Sequence, residues 1–261
     1  MKSDSIQESI LFSLDGKNPE VFPFLPYLLQ DFWELGGSPS SIINLIKKNS
    51  IHTKFPKLKV LDLGCGKGAV SIQIAKKLNT EILGIDAIPE FIGEANRKAR
   101  EFQVEKFVSF QVGDIRECVY TCFDFHLILL CSIGPVLGDI CKTLEKLSES
   151  LVPNGYVIIE DGLIPNESDF VHPAYTKESD YYEKIHSSNF VIVDKEEFPP
   201  SKMKGENDAM YALIENRTKE LKLKYPHKAD LFDSYLENQR DENYYLEHKI
   251  KCVTFLFQKK D

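Results

Sequence analysis

Short apolar runs alternate with helical stripes along most of this chain. Leu58–Leu63 is an almost continuous apolar run, as expected of a strand buried on both faces. Gly64-Cys65-Gly66-Lys67-Gly68 ends it, and Val70, Ile74 and Leu78 then recur at helical spacing. The same alternation repeats downstream. Glu81–Asp86 and Phe107–Val112 read as strands, separated by a helix that Pro89 opens and that carries Phe91, Ile92, Ala95, Ala99 and Phe102. Phe123–Leu130 is a fourth strand. A helix follows with Leu137, Ile140, Leu144, Leu147 and Leu151, then a turn at Val152–Gly155 and a fifth strand at Tyr156–Glu160. Strands alternating with helices predict parallel βαβ units.

The flanks are read less directly. Val21–Trp33 holds Phe22, Phe24, Tyr27, Phe32 and Trp33 with two prolines. Two compatible readings stand: rings packed on a core, or a cap whose aromatic faces attract a cation. Ser38-Pro39 predicts a helix start with Ser38 as N-cap, made amphipathic by Ile42, Ile43 and Ile46. After Glu160-Asp161-Gly162 the chain is expected to leave the sheet tip. A helix is expected over Tyr181–Ile185, and Phe190–Phe198 alternates as a strand. Residues 199–248 predict a helical insertion. One helix carries Met210, Leu213, Ile214 and Leu221; Pro226 opens a second with Leu231, Phe232, Tyr235 and Leu236. Lys251–Gln258 is a final strand. No repeat or linker interrupts the pattern, so residues 1–261 are expected to form one domain, with a helical cap over 1–50.

Composition narrows the function classes. The chain has 261 residues, 43% hydrophobic and 28% charged, with a net charge of −8. That balance disfavours a nucleic-acid partner, which asks for a basic face. No apolar run approaches the roughly 18 residues that span a membrane. Met1–Ser5 lacks a signal-peptide pattern, so a cytoplasmic location is expected. The six cysteines form no disulfide framework. Cys118 and Cys122 lack a second Cys/His pair at zinc spacing, and no metal site is expected.

The chemistry concentrates at the expected strand tips. Strand, glycine turn and helix N-terminus together form a place to hold a nucleotide-like ligand. The loop spacing is G-x-G-x-G, not the G-x-G-x-x-G of dinucleotide enzymes. Asp62 stands two positions before the first glycine, where a carboxylate needs a hydrogen bond or a cation. Asp86, about twenty residues past the loop, ends the second strand, where an acid can accept ribose hydroxyls. Gly113-Asp114-Ile115 ends the third strand; Asp114 there is either a ligand contact or a helix N-cap. His126 lies inside a strand and reads as structural.

V-L-D-L-G-C-G-K-G resembles motif I of the class I S-adenosylmethionine (SAM)-dependent methyltransferases. Gly113-Asp114-Ile115, the fourth strand and L-V-P-N-G-Y-V-I-I extend the resemblance across Ser38–Glu160, with the SAM-binding core over 58–160. The late helical insertion and the ending Tyr-Tyr-Leu-Glu-His-Lys resemble a bacterial small-molecule branch of that family. The resemblance implies an α/β, Rossmann-like fold. Its seven-stranded sheet is ordered 3-2-1-4-5-7-6 with the last strand antiparallel, under an N-terminal helical cap and an insertion over the substrate. It also implies SAM as cofactor and a small-molecule methyl acceptor. Gly64, Cys65 and Gly66 would cradle the methionine part, supported by Asp62. Asp86 would hold the ribose, with Ala87 and Ile88 along the adenine. Gly113, Asp114 and Ile115 would clamp the base, and Cys131 and Ser132 would flank the methionine. No residue is obligatorily catalytic in this chemistry; Glu160, Asp161 and His172 are the candidate bases, with Tyr211 behind them. The fourth strand lacks the Asn/Asp-Pro-Pro-aromatic and Pro-Cys signatures of nucleobase enzymes. A SAM-binding protein without transferase activity and an NAD(P)-dependent oxidoreductase are the alternatives.

Overall fold

Val60, Leu61 and Leu63 are fully buried, so the run that holds them becomes the middle strand of a sheet. In the computed structural model, which describes residues 5–78 and 80–260, this strand is β1 (Lys59–Leu63). Residues 1–4, part of the stretch without a signal-peptide pattern, lie outside the described residues. β1 pairs in parallel with β2 (Glu81–Asp86) on one side and β4 (Phe125–Cys131) on the other. β3 (Val108–Val112) lies beyond β2, and β5 (Leu151–Ile164) beyond β4, both parallel. β8 (Lys251–Lys259) runs antiparallel between β5 and β7 (Phe190–Glu197). The order is 3-2-1-4-5-8-7, with the short β6 (Thr176–Lys177) beside the end of β5. Leaving out β6, this is the expected seven-strand order.

Successive side chains of a strand face opposite sides, and this sorts the core into two layers. Val60, Leu127, Leu129 and Ile158 pack under α3 (Pro39–Lys48), α5 (Ala69–Leu78) and α6 (Pro89–Glu101). Leu61, Leu63, Val157 and Ile159 pack under the short α7 (Ile115–Cys118), α8 (Ile140–Ser150) and α9 (Glu178–His186). Ser38 caps α3 and Pro39 is its first residue. The short α4 (Ile51–Lys54) leads into β1. No helix among the described residues is long and apolar enough to cross a membrane.

Two details of β5 differ from expectation. The chain does not leave the sheet after Glu160. β8 continues to supply ladder partners, from Glu160 with Thr254 to Leu163 with Lys251. The segment expected as a turn before β5 is its first part. There Asn154 takes φ +58°, and the register with β4 shifts between Phe125 and Leu127.

A third apolar core lies outside the sheet. It joins α1 (Ile6–Ser13), the 3₁₀ turn Pro19–Phe24 and α2 (Leu25–Leu28) to α10 (Pro200–Lys224) and α11 (Ala229–His248). The N-terminal aromatics are spent in packing. Phe24 meets Tyr225 and Phe232 edge-on at 5.4 and 5.0 Å, and Trp33 stacks on Phe102 at 4.8 Å. Arg217 grips Asp31 through two bonds of 2.6 and 2.7 Å, and Tyr27 donates to Glu220. The region expected as a 1–50 cap therefore divides. Residues 6–37 and the 199–248 insertion share one helical core, here called the lid, whereas α3 belongs to the sheet.

Gly84 of β2 shows how closely the elements approach. A Cβ there would lie 2.6 Å from Phe110 and 2.9 Å from the Cys65 sulfur. Gly84→Ala is expected to cost about 1–3 kcal/mol by overpacking, read as a lower urea midpoint; an unchanged midpoint would refute the tight fit.

Candidate functional site

The glycine turn follows β1 because Gly64, Gly66 and Gly68 take φ of +75°, +52° and +74°, which glycine adopts without steric cost. The turn folds back toward β2. Gly64 and Cys65 donate to the Ile85 carbonyl at 2.8 and 3.0 Å, and Gly66 donates to Asp86 Oδ2 at 2.8 Å. These amides were expected to face a ligand. They are instead used inside the fold, because the turn extends the β1–β2 pairing by one step.

Three carboxylates converge on this end of the sheet. Asp62 is 2% exposed and shares the α5 face with Val60; it accepts from the Ser71 hydroxyl at 2.6 Å. Burial pushes its carboxyl up to about 7, against the Ser71 bond and with the charges of Asp86 and Glu160 adding to the rise. Asp86 accepts from Gly66 and, through Oδ1, from Ile88 at 2.9 Å. Burial raises its carboxyl, and these amide bonds only partly offset the rise. Glu160 accepts from the Ser38 amide at 3.0 and 3.2 Å, from Thr254 at 3.2 Å and from Ser132 at 3.5 Å. Burial raises its carboxyl as well. Asp62 is thus raised by its two acidic neighbours as well as by burial, since a like charge acts strongly in a desolvated place.

Cys131 and Ser132 close the site from β4. The Cys131 thiol is buried and pushed far up, by burial first and then by Glu160 and Asp62. Ser132 takes φ +53°. Gly36-Gly37 crosses directly over this pair. A Cβ on Gly36 would lie 2.6 Å from Ser132, and one on Gly37 3.0 Å from Cys131 and 3.1 Å from Glu160. Two adjacent glycines before a helix cap are the signal of that approach; taken only as a helix entry, they hide it.

Lys67, inside the glycine turn, escaped sequence reasoning altogether. It is 4% exposed, and its ammonium donates to the Leu29 carbonyl and to Phe32 O at 2.5 Å. The Trp33 indole donates back to Lys67 O at 3.0 Å. Burial lowers the Lys67 ammonium to about 8. The turn is thus bolted to the lid.

The remaining candidates lie further out. Gly113 donates to Asp86 O at 2.9 Å. Asp114 caps α7 and pairs with the Arg116 guanidinium at 2.6 Å. Burial acts to raise its carboxyl, but the Arg116 contacts prevail and hold it low. Ile115 sits in the sheet core, and Ile88 in the lid core. Ala87 is half-buried between Asp86 and Ile88. Asp161 points to the opposite face from Glu160. His172 stacks on Phe170 at 6.0 Å and meets Tyr245 at a tilt at 5.5 Å. Tyr211 accepts from Arg240 at 2.6 Å on the outer lid.

Residues 54–226 match the family model described as "Methyltransferase domain". The ajmaline N-methyltransferase of Rauvolfia serpentina is 33% identical over 131 residues, which are 48% of this chain and 45% of that protein. The match thus spans less than half of that relative. A SAM-dependent methyltransferase from Geobacter sulfurreducens, solved with S-adenosyl-L-homocysteine, superposes with a TM-score of 0.73 at 16% identity, covering 91% of this chain and 98% of that one. The [4+2]-cyclase SpnF superposes with a TM-score of 0.70 at 16% identity, covering 99% and 97%.

The raised Asp62 carboxyl fixes the sign of a pH effect. Between its ordinary value near 4 and about 7, the folded chain holds a proton that the unfolded chain has released. Stability from this group therefore falls as pH rises through that window and is flat above it. Asp62→Asn is expected to flatten the slope of the urea midpoint between pH 5 and pH 8 and to raise the unfolding free energy at pH 8 by on the order of a few kcal/mol. A steeper slope in the variant would reject the assignment.

Proposed function

This chain belongs to the methyltransferase-domain family, and on that premise we propose that it binds SAM and moves the methyl group to a small-molecule nucleophile. The observation that carries the reading is the convergence of Asp62, Asp86 and Glu160 beside the glycine turn. Three desolvated acids, one of them raised by the charges of the other two, suit a ligand bearing positive charge. They oppose a pyrophosphate, which argues against the dinucleotide reading as the turn spacing does.

The donor set fits SAM. Asp86 keeps acceptor capacity beyond the amide bonds from Gly66, Ala87 and Ile88 and would take the ribose hydroxyls. Gly64, Cys65, Gly66, Cys131 and Ser132 would line the methionine part, next to Asp62 and Glu160. Ala87, Ile88, Gly113, Asp114 and Ile115 would border the adenine. Bound there, SAM supplies an already activated methyl group. The protein's work is then to align the acceptor and exclude water. The lid serves the second task, since Lys67 and Trp33 hold it on the glycine turn. Glu160 is hydrogen-bonded from three elements, which suits it to charge compensation more than to proton removal. Asp161 is the better placed base.

A cofactor-binding fold that runs another reaction is the second reading, favoured by the likeness to a [4+2]-cyclase. Incubation with methyl-labelled SAM and a panel of amines, phenols, thiols and carbon acids separates the two; no label in any acceptor favours the second.

Asp86→Ala is expected to weaken S-adenosylhomocysteine binding at least tenfold in calorimetry, and an unchanged dissociation constant would remove the ribose role. The acids also set a pH dependence. A cationic ligand favours their ionised forms, so binding should release protons. SAM affinity should rise from about pH 5.5 to about pH 8, across the range where Asp62 titrates. Calorimetry in two buffers of different ionisation enthalpy reads the proton count; zero exchange at pH 6.5 would argue against recognition by the acids.

A further inference from the structure

Residues 33–38 belong to no helix or strand. They run from the end of the N-terminal helices to the start of α3, and both ends are tied to the candidate site. At one end the Trp33 indole donates to Lys67 O at 3.0 Å. Leu35 lies over the same turn, 3.5 Å from where a Cβ on Gly66 would stand. At the other end the Ser38 amide donates to both Glu160 oxygens, at 3.0 and 3.2 Å. Between these ties Gly36 and Gly37 cross Ser132 and Cys131. The segment is thus a strap from the glycine turn to β5. It lies over the residues proposed to line the methionine part of the cofactor.

The strap leaves no passage beneath it. A Cβ on Gly37 would meet Cys131, Glu160 and Val70 at 3.0 to 3.2 Å, so not even a methyl group fits there without a shift. A ligand that crosses at this point must lift the strap. The backbone allows a bend there, because Gly36 takes φ +103°, which glycine adopts at little cost. Ser38, just beyond, caps α3, and α3 is packed on the sheet. Lifting therefore swings the Trp33 end.

That end is the one held by Lys67. Its ammonium donates to the Leu29 and Phe32 carbonyls and lies 5.4 Å from the centre of the Phe91 ring. Asp31, between the two carbonyls in sequence, is gripped by Arg217 of α10, so the contact reaches the rest of the lid. Burial makes the ammonium costly to keep, and a contact of this kind can let go. Removing the ammonium alone leaves both carbonyls short of a donor in the closed strap, whereas water serves them in an open one. We propose that Trp33–Ser38 is a gate through which the cofactor enters and leaves, and that Lys67 is the positioning residue that holds it shut. The identity of the gated ligand rests on the cofactor reading above; the latch does not.

Trp33, the one tryptophan of the chain, is a built-in probe, since its ring stacks on Phe102 beneath the Lys98 ammonium. In stopped-flow emission on the full chain, the rate of binding S-adenosylhomocysteine should level off, at high ligand, at the rate of gate opening. Lys67→Met should raise that ceiling at least tenfold and shift the emission of the free chain to the red. A rate that climbs linearly with ligand throughout overturns the gate. A ceiling within twofold of the unsubstituted chain, with only a lower melting midpoint, is what a merely structural lysine gives and overturns the latch. Should Lys67→Met fail to fold, Lys67→Gln, which keeps an N–H donor at shorter reach, takes its place with the same expected rise. Hydrogen exchange on the unsubstituted chain tests the gate without any variant. S-adenosylhomocysteine should slow the amides of residues 33–38 at least tenfold and those of β4 less than twofold; equal effects overturn the gate. If S-adenosylhomocysteine does not bind, the cofactor reading falls. The free chain then still decides the latch: red-shifted Trp33 emission in Lys67→Met supports it, and unshifted emission overturns it.

Discussion

Carboxylates buried at the ends of parallel strands are the constraint around which this protein is arranged. A desolvated acid must find donors or give up its charge. Each of the three acids takes its donors from a different part of the chain. Asp62 uses Ser71 of α5, Asp86 uses the glycine turn and the entry to α6, and Glu160 uses Ser38, Ser132 and Thr254. The acids therefore position the turn, the α3 cap and the β4 loop around one space. The charges of Asp86 and Glu160 add to the burial that raises Asp62.

The lid is coupled to that space by a second buried charge. Lys67 stands in the glycine turn but spends its ammonium on carbonyls at the end of the N-terminal helices. Those helices share their core with α10 and α11. A displacement of the turn is thus felt by segments from both ends of the sequence. The aromatic residues near the N-terminus serve this union: Phe24 and Phe32 fill the shared core, and Trp33 stacks on Phe102 while its indole donates to Lys67 O in the glycine turn.

The two acids at successive positions of β5 divide the chemistry between the two faces of the sheet. Glu160 faces the glycine turn and is fully engaged. Asp161 faces α9, beside the Tyr181 hydroxyl. The strand continues past both because β8 pairs with it to Leu163. Had the chain left the sheet at Glu160, neither orientation would be fixed.

Periodicity alone placed the alternating strands and helices, and the start of α3 at Ser38-Pro39, since these depend on residues close in sequence. Asp62 inside an apolar run and Asp86 at a strand end were equally visible, because a charge breaking a buried pattern is a local signal. The sequence did not show that Gly36-Gly37 would lie against Cys131 and Ser132, that Lys67 would reach Leu29, or that Asp114 would be held by Arg116. It also gave no sign that residues 6–37 and 199–248 would share one core. Each of these depends on where a side chain or backbone segment meets a partner across the fold. Spacing along a chain sets which face a residue occupies; only the packing of distant segments decides what that face touches.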